Sequence, residues 1–174
     1  MIPEQIFLVL HIISVTVSLI MLGVTIKWPN VGRFLFVLLF LWAGYINSST
    51  AITSPEEYLN YGNLAWLEFY EDFIHGFFGR HITLFVLLIA ACQFAIGIML
   101  TTKGAAVKWA CWAAIVFLLA ITPLGVGSGF PTTVIMAIAM WIISKKQFDR
   151  HLWEVVQQKL SKKGTEQLQT KAKL

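Results

Sequence analysis

The sequence predicts an all-α, polytopic membrane helix bundle with five transmembrane helices and one outer amphipathic helix lying in the membrane interface. Of the 174 residues, 57% are hydrophobic and only 13% are charged, whereas soluble domains carry about 25% charged residues. Several apolar runs approach the roughly 20 residues that cross a bilayer core of about 30 Å. Backbone groups in lipid must be bonded within their own segment, so each run is predicted to be helical. The five predicted spans are Ile6–Ile26, Phe34–Thr53, Ile82–Thr102, Ala105–Pro123 and Phe130–Ser144.

The first predicted span lies where a signal peptide would, and the last is short. Ile6–Ile26 is interpreted as a retained span rather than a signal peptide, because no basic segment precedes it and Lys27-Trp28-Pro29 is a poor cleavage context. Phe130–Ser144 is the shortest run, and Pro131 and Lys145 mark its limits.

The distribution of basic residues predicts the orientation of the spans. If the N-terminus lies on one side of the membrane, all of the 13 Lys and Arg residues except Arg80 fall on the other side. The positive-inside rule then places the N-terminus outside and the C-terminus in the cytoplasm of a cell whose inner or plasma membrane holds the protein. The net charge of +4 is explained by this topology and does not indicate a nucleic-acid partner.

The chain divides into a membrane helix bundle at residues 1–144 and a cytoplasmic basic tail at residues 145–174. Trp153, Val156 and Leu160 share one helical face among the lysines of the tail, which is typical of a short helix on anionic lipid headgroups. A solvated tail explains the same composition equally well.

The outer segment, residues 54–80, contains the predicted amphipathic helix. Within Leu64–His81, polar residues recur at i, i+3, i+4 and i+7 and share one face, and aromatic residues fall on the other. The polar face holds Glu68, Glu71, Asp72 and His75, and the aromatic face holds Trp66, Phe69, Tyr70, Phe73 and Phe77. We expect Trp66, Phe69 and Phe73 to anchor the helix in the interface.

The polar face has two interpretations. Glu71 and Asp72 precede His75 by four and three residues, a spacing that lets two carboxylates and an imidazole converge on a divalent metal or pass a proton. Such spacings are also frequent on ordinary wet helix faces, and the solvated face is the preferred interpretation.

Polar residues inside the spans indicate a cavity in the outer half of the membrane. The candidate residues that would line it or bind a ligand are His11, Asn47, His81 and Gln93. His11 is the strongest, because an ionisable residue within a span is expensive to bury. The alternative is that these side chains hold helices together. Haem ligation by His11 and His81 is disfavoured, because their depths differ by about one or two helical turns.

Spans two to five resemble the DoxX-like family over residues 33–144. The resemblance is carried by "RFLFVLLFLWAGYINSS", by "LFVLLIAACQFAIGIMLTTKGAAVKWA" and by the two closing spans. Arg33, Gly44, Gly97 and Lys103 match positions at the span ends, and Gln93 stands where many members carry a glutamate. The extra N-terminal span departs from the family, and the neutral Gln93 disfavours proton handling there. The family resembles the small subunit of thiosulfate:quinone oxidoreductase, so the resemblance implies quinone as a ligand and a redox complex as the setting.

Three function classes therefore remain. The preferred class is a small subunit or accessory of a quinone-linked membrane redox complex, in contact with a larger partner. A homo-oligomer is the alternative assembly. The second is a small-solute or lipid transporter using the outer cavity, and the third is a structural or assembly protein. Whether the chain is an enzyme stays open, because the sequence contains no nucleophile–base arrangement, dinucleotide fingerprint or thiol pair.

Overall fold

The computed structural model describes residues 4–158 and 161, and within these residues the regular structure is entirely helical. The α-helices are α1 Glu4–Lys27, α2 Pro29–Thr53, α3 Glu68–Phe73, α4 Ile82–Thr101, α5 Ala105–Ile121, α6 Thr132–Ser144 and α7 at residues 152–158. Two 3-10 helices, Pro55–Leu64 and Thr122–Ser128, and one π-helical turn, Ile74–Phe78, complete the described chain.

Four helical segments are long and apolar enough to cross a membrane. They are Leu8–Lys27, Pro29–Thr53, Ile82–Thr101 and Ala105–Val126, and each has 20 to 25 residues. The fifth predicted span is apolar, but its helix α6 has only 13 residues, which at 1.5 Å per residue is about 20 Å. The all-helical fold and four spans of sufficient length are confirmed, and α6 is too short to qualify by length.

The long helices and α6 form a ring in which consecutive helices pack together, and α2 also contacts α6. Helix α1 packs against α2 and α6, and the pairs α2–α4, α4–α5 and α5–α6 close the ring. Close packing depends on small residues: a Cβ on Gly97 would lie 3.0 Å from Leu41 Cδ2, and one on Gly44 would lie 3.1 Å from Phe94 Cε1. The core lies inside the ring, where Phe36, Leu100 and Met140 are fully buried.

One end of the ring, called the basic end here, is closed by Arg33 and by the chain after α6. The Arg33 side chain is fully buried, and Nε and Nη2 donate hydrogen bonds to the carbonyl oxygens of Leu100 and Thr102 at the end of α4. The ring of Phe148 covers the guanidinium at 4.8 Å, and the Phe148 carbonyl accepts the Gly104 amide at 2.9 Å.

The first residues of the predicted tail therefore belong to the packed structure. Phe148 and Leu152 are buried in the hydrophobic core, so the packed bundle extends past the predicted boundary at residue 144. On α7, Trp153 and Val156 are exposed, as a surface helix requires, and Leu160 lies outside the described residues.

The opposite end is covered by residues 55–80, called the roof segment here. The sequence predicts one helix over Leu64–His81, and the predicted start at Leu64 is wrong. Ala65 and Leu67 are extended, with ψ of 140° and 123°, because the Trp66 amide bonds the Pro123 carbonyl at 2.9 Å instead of a helical partner. The helix begins only at Glu68, and its π-helical turn directs Ile74 into the bundle, where it is buried.

Candidate functional site

A cavity of about 540 Å³ lies beneath the roof segment. It exists because the surrounding helices place small side chains at this end of the ring, among them Ser14, Ala43 and Ala120. Side chains from α1, α2, α4, α5, α6 and the roof segment form its walls, which are mainly apolar. The volume is within the range of about 300–1,000 Å³ that is typical of small-molecule sites.

One wall of the cavity carries a chain of three hydrogen-bonded polar residues. The Tyr58 hydroxyl donates to Asn47 Oδ1 at 2.9 Å, and Asn47 Nδ2 donates to Gln93 Oε1 at 2.8 Å. These bonds join the roof segment to α2 and α4. Gln93 is 4% exposed, so its amide is a polar group held in an otherwise apolar wall.

The opposite wall carries hydroxyl groups that bond one another. Ser14 on α1 and Thr132 on α6 lie 3.1 Å apart, and Thr122 and Thr133 lie 3.2 Å apart. These pairs join neighbouring helices and satisfy their own hydrogen-bonding groups. They fit the interpretation in which polar side chains hold helices together.

The roof of the cavity is aromatic and is tied to the end of α5. Tyr61, Tyr70, Phe73 and Phe78 line the cavity, and the Tyr70 hydroxyl donates to the Ala120 carbonyl at 2.8 Å. The Trp66 ring meets Phe130 edge to face at 4.6 Å. The Tyr70 hydrogen bond to α5 and the ring contact between Trp66 and Phe130 therefore hold the roof segment in place.

Two half-buried phenols on the roof, those of Tyr58 and Tyr61, stay neutral at physiological pH. Burial raises the pKa of Tyr58, with a smaller contribution from Tyr61 beside it. Burial also raises the pKa of Tyr61, and the Glu57 carboxylate adds to this effect. Both hydroxyls therefore remain available as hydrogen-bond donors.

The structure separates the four residues predicted to line the cavity. Asn47 and Gln93 both line it and bond each other. His11 is half-buried on α1 and His81 is exposed, with its ring 5.5 Å from that of Phe77, and neither is part of the lining. The two histidines lie on different helices of the ring, α1 and the start of α4, and α2 lies between these helices.

The predicted metal residues do not form a ligand group. Glu71, Asp72 and His75 are exposed, and His75 Nε2 lies 3.1 Å from Asn63 Oδ1. Across residues 4–158 and 161, no three His, Cys, Asp or Glu side chains are grouped so as to hold a metal ion.

The predicted anchors have different environments. Phe69 is 74% exposed, as an interfacial anchor should be. Phe73 contributes to the cavity lining and contacts the rings of Phe77, Phe78 and Phe85, and Trp66 packs on Phe130.

Sequence reasoning missed Tyr58 and Tyr61 as members of the site. Their spacing of three residues in "YLNY" was the available signal, because residues three apart share a helical face. The 3-10 conformation of Pro55–Leu64 brings both phenols over the cavity.

The fold and the cavity define a class: an all-helical protein with four helices long and apolar enough to cross a membrane, and with a largely apolar cavity at one end of the ring. These helices indicate a membrane protein. Comparison of the chain with protein-family models, with curated proteins and with solved structures finds no match. The resemblance to the DoxX-like family stays a prediction.

Proposed function

We propose that this chain is an integral membrane protein of five spans that serves as a small subunit or accessory of a quinone-linked membrane redox complex. The observation that carries the proposal is the cavity, whose mainly apolar walls and few uncharged polar side chains suit a molecule such as a quinone. Residues 4–158 consist of the ring, its roof and one short helix, so a larger partner would supply the catalytic domain.

The count of five spans rests on the surroundings of α6. This helix packs against α5 and α1 on its two sides, and the 3-10 helix Thr122–Ser128 leads into it. Eight of its 13 residues are buried, while Ile138 and Trp141 are exposed, so one side of α6 would meet lipid, and a span this short is accommodated by local thinning of the bilayer. With five spans, the basic end faces the cytoplasm and the roof faces outside.

A transporter for a small solute or a lipid is the second candidate. The position of the cavity favours it, because the roof segment separates the cavity from the surface at one end of the bundle. In the third candidate, a structural protein, the hydroxyl pairs and the Asn47–Gln93 bond would serve only to join helices.

Purification of the native protein in a mild detergent tests the proposal. We expect a complex larger than the chain itself and a bound, ultraviolet-absorbing apolar molecule that can be extracted and identified by mass. Ala43→Phe fills the cavity and should abolish the bound molecule. Ala91→Phe is the matched control, since Ala91 is exposed on the outside of the ring.

A lone monomer or homodimer that carries no bound molecule would contradict the redox-subunit proposal. If Ala43→Phe and Ala91→Phe retain the bound molecule equally, that molecule does not occupy the cavity.

A further inference from the structure

Gln93 holds an unused hydrogen-bond donor at the cavity wall. Its side chain is 4% exposed and lines the cavity. Its Oε1 accepts the bond from Asn47, and its Nε2 makes no hydrogen bond to any residue among 4–158 and 161. The residue as a whole is buried, and the free amide nitrogen belongs to a side chain that lines the cavity, so a ligand in the cavity that accepts a hydrogen bond from it would be stabilised.

The direction of the hydrogen bonds among Tyr58, Asn47 and Gln93 determines which group of Gln93 remains for a ligand. The Tyr58 hydroxyl donates to Asn47 Oδ1, which leaves Asn47 Nδ2 to donate to Gln93 Oε1. Each amide oxygen therefore already accepts one hydrogen bond, and the group without any partner is the NH₂ of Gln93. An amide NH₂ has two donors and no acceptor, so the complementary ligand atom is an acceptor such as a carbonyl oxygen.

The lining also determines the charge of the ligand. Among the described residues that line the cavity there is no Asp, Glu, Lys, Arg or His. A charged group buried without a counter-charge is strongly disfavoured in such surroundings. Tyr58 and Tyr61, whose pKa values are raised by burial, add no charge to this lining at physiological pH.

We propose that the cavity binds an uncharged, mostly apolar molecule through one carbonyl oxygen, to which Gln93 Nε2 donates a hydrogen bond. This inference rests on the proposed function only in that the cavity is a ligand site. It names the recognition chemistry of that site and excludes fatty-acid anions and cationic amphiphiles as ligands. A site built to hydrogen-bond one group discriminates strongly against analogues without it.

Thermal unfolding of the purified full chain in detergent, with three probes of nearly equal length, tests this. The probes are methyl laurate, which is neutral and has a carbonyl; laurate at pH 8, which is anionic; and n-tridecane, which has no acceptor. Each is added at the same mole ratio to detergent. We expect methyl laurate to raise the midpoint by about 3 °C or more, and the other two by less than about 1 °C.

Gln93→Met removes the donor at nearly constant side-chain length and should abolish the methyl laurate shift. Gln147→Met makes the same chemical change at an exposed position near the basic end and should leave the shift intact. The comparison of probes in the unchanged protein remains decisive even if Gln93→Met fails to fold.

Two results would overturn the inference, and they differ in what they say of the proposed function. If tridecane or laurate stabilises as much as methyl laurate, with Gln93→Met unchanged in its response, the cavity binds ligands without the carbonyl contact. If none of the three probes shifts the midpoint, the cavity is not a ligand site for apolar molecules and both proposals fail.

Discussion

At the scale of single residues, the half-buried phenols of the roof segment make the protein sensitive to alkaline pH. Burial raises the pKa of Tyr58 and Tyr61 above the ordinary value of 10.0. Above that pH the unfolded chain ionises these tyrosines while the folded chain still keeps them neutral, so the free energy of unfolding falls as pH rises. The stabilising effect is complete below pH 10 and is lost between pH 10 and the raised pKa values.

We expect Tyr61→Phe to weaken this alkaline loss of stability. The measurement is the thermal midpoint between pH 8 and 12, together with the tyrosinate absorbance of the folded protein. Equal alkaline losses in Tyr61→Phe and the unchanged protein would show that Tyr61 does not contribute.

Two glycines with nearly the same backbone conformation allow a matched comparison. Gly125 has φ 65° and ψ −137°, and Gly104 has φ 63° and ψ −132°. A Cβ on Gly104 would meet no atom within 4 Å, whereas one on Gly125 would lie 2.7 Å from Trp66 Nε1 and 2.8 Å from the Leu64 carbonyl oxygen.

Both substitutions by alanine should destabilise the protein, but to different extents. Gly104→Ala costs only the backbone strain, about 1–3 kcal/mol. Gly125→Ala should cost more, because Trp66 and the roof must also move, and it should reduce ligand binding in the cavity. Thermal or denaturant unfolding of the two variants measures the difference, and equal losses would mean that the Trp66 contact is easily displaced.

The residues of the site were only partly predictable from sequence. Asn47 and Gln93 could be identified because amides within apolar spans are rare and need partners. His11 was also predicted to line the cavity, because its ring is ionisable, but it does not. The face that α1 turns toward the cavity is set by its packing against α2 and α6. Which face a helix turns inward cannot be read from one helix alone.

At the scale of elements, Arg33 links α2 to the end of α4. Its Nε and Nη2 bond two carbonyl oxygens, those of Leu100 and Thr102, which lack helical partners because α4 ends there. A guanidinium can bond both at once in fixed geometry, whereas a lysine ammonium is a point charge on a flexible stem.

We therefore expect Arg33→Lys to lower the free energy of unfolding by about 1–3 kcal/mol, since it leaves at least one of these carbonyls unsatisfied. Arg80→Lys is the control, because Arg80 is exposed and such changes stay within about 0.5 kcal/mol. Denaturant unfolding measures both. A loss in Arg33→Lys as small as that of Arg80→Lys would show that charge alone suffices at this position.

Element boundaries were predictable where they depend on local sequence. Helix α4 begins at the predicted Ile82 and ends one residue before the predicted Thr102, and α2 ends at the predicted Thr53 but begins at Pro29, five residues before the predicted Phe34. The break at Ala65–Leu67 was not predictable, because it depends on the Pro123 carbonyl, which is distant in sequence.

At the scale of the whole molecule, the proposed five-span topology predicts that the two ends of the ring are chemically accessible from different sides of the membrane. Cysteines replacing Glu57, on the roof segment, and Gln147, near the basic end, are both exposed positions. The two native cysteines, Cys92 and Cys111, are free and would be replaced by alanine first.

An impermeant maleimide should label Glu57→Cys in intact cells and Gln147→Cys only after permeabilisation. Labelling of both variants in permeabilised cells is the control for reactivity. Labelling of Gln147→Cys alone in intact cells would invert the orientation, and labelling of both would mean an even number of spans between them.

The ring itself could not be derived from the sequence. Hydropathy gives the number and length of apolar helices, but it does not say which helix lies beside which. The pairing of α1 with α6 joins the first helix of the ring to the last, and no local pattern in the chain specifies that contact.

That pairing has a consequence for biosynthesis. The Ser14 hydroxyl on α1 meets Thr132 on α6, 118 residues later, and at about 5–20 residues per second the ribosome needs roughly 6–24 s to supply it. Until then α2 is the only ring neighbour available to α1. In the nascent protein, only the α1–α2 hairpin can therefore bury Ser18 and Thr25, which are buried in the complete structure. Gly32 allows the hairpin to close, since a Cβ there would lie 2.3 Å from Thr25 Oγ1. A side chain at Gly32 would therefore obstruct the α1–α2 hairpin in the nascent protein, before the ring has formed.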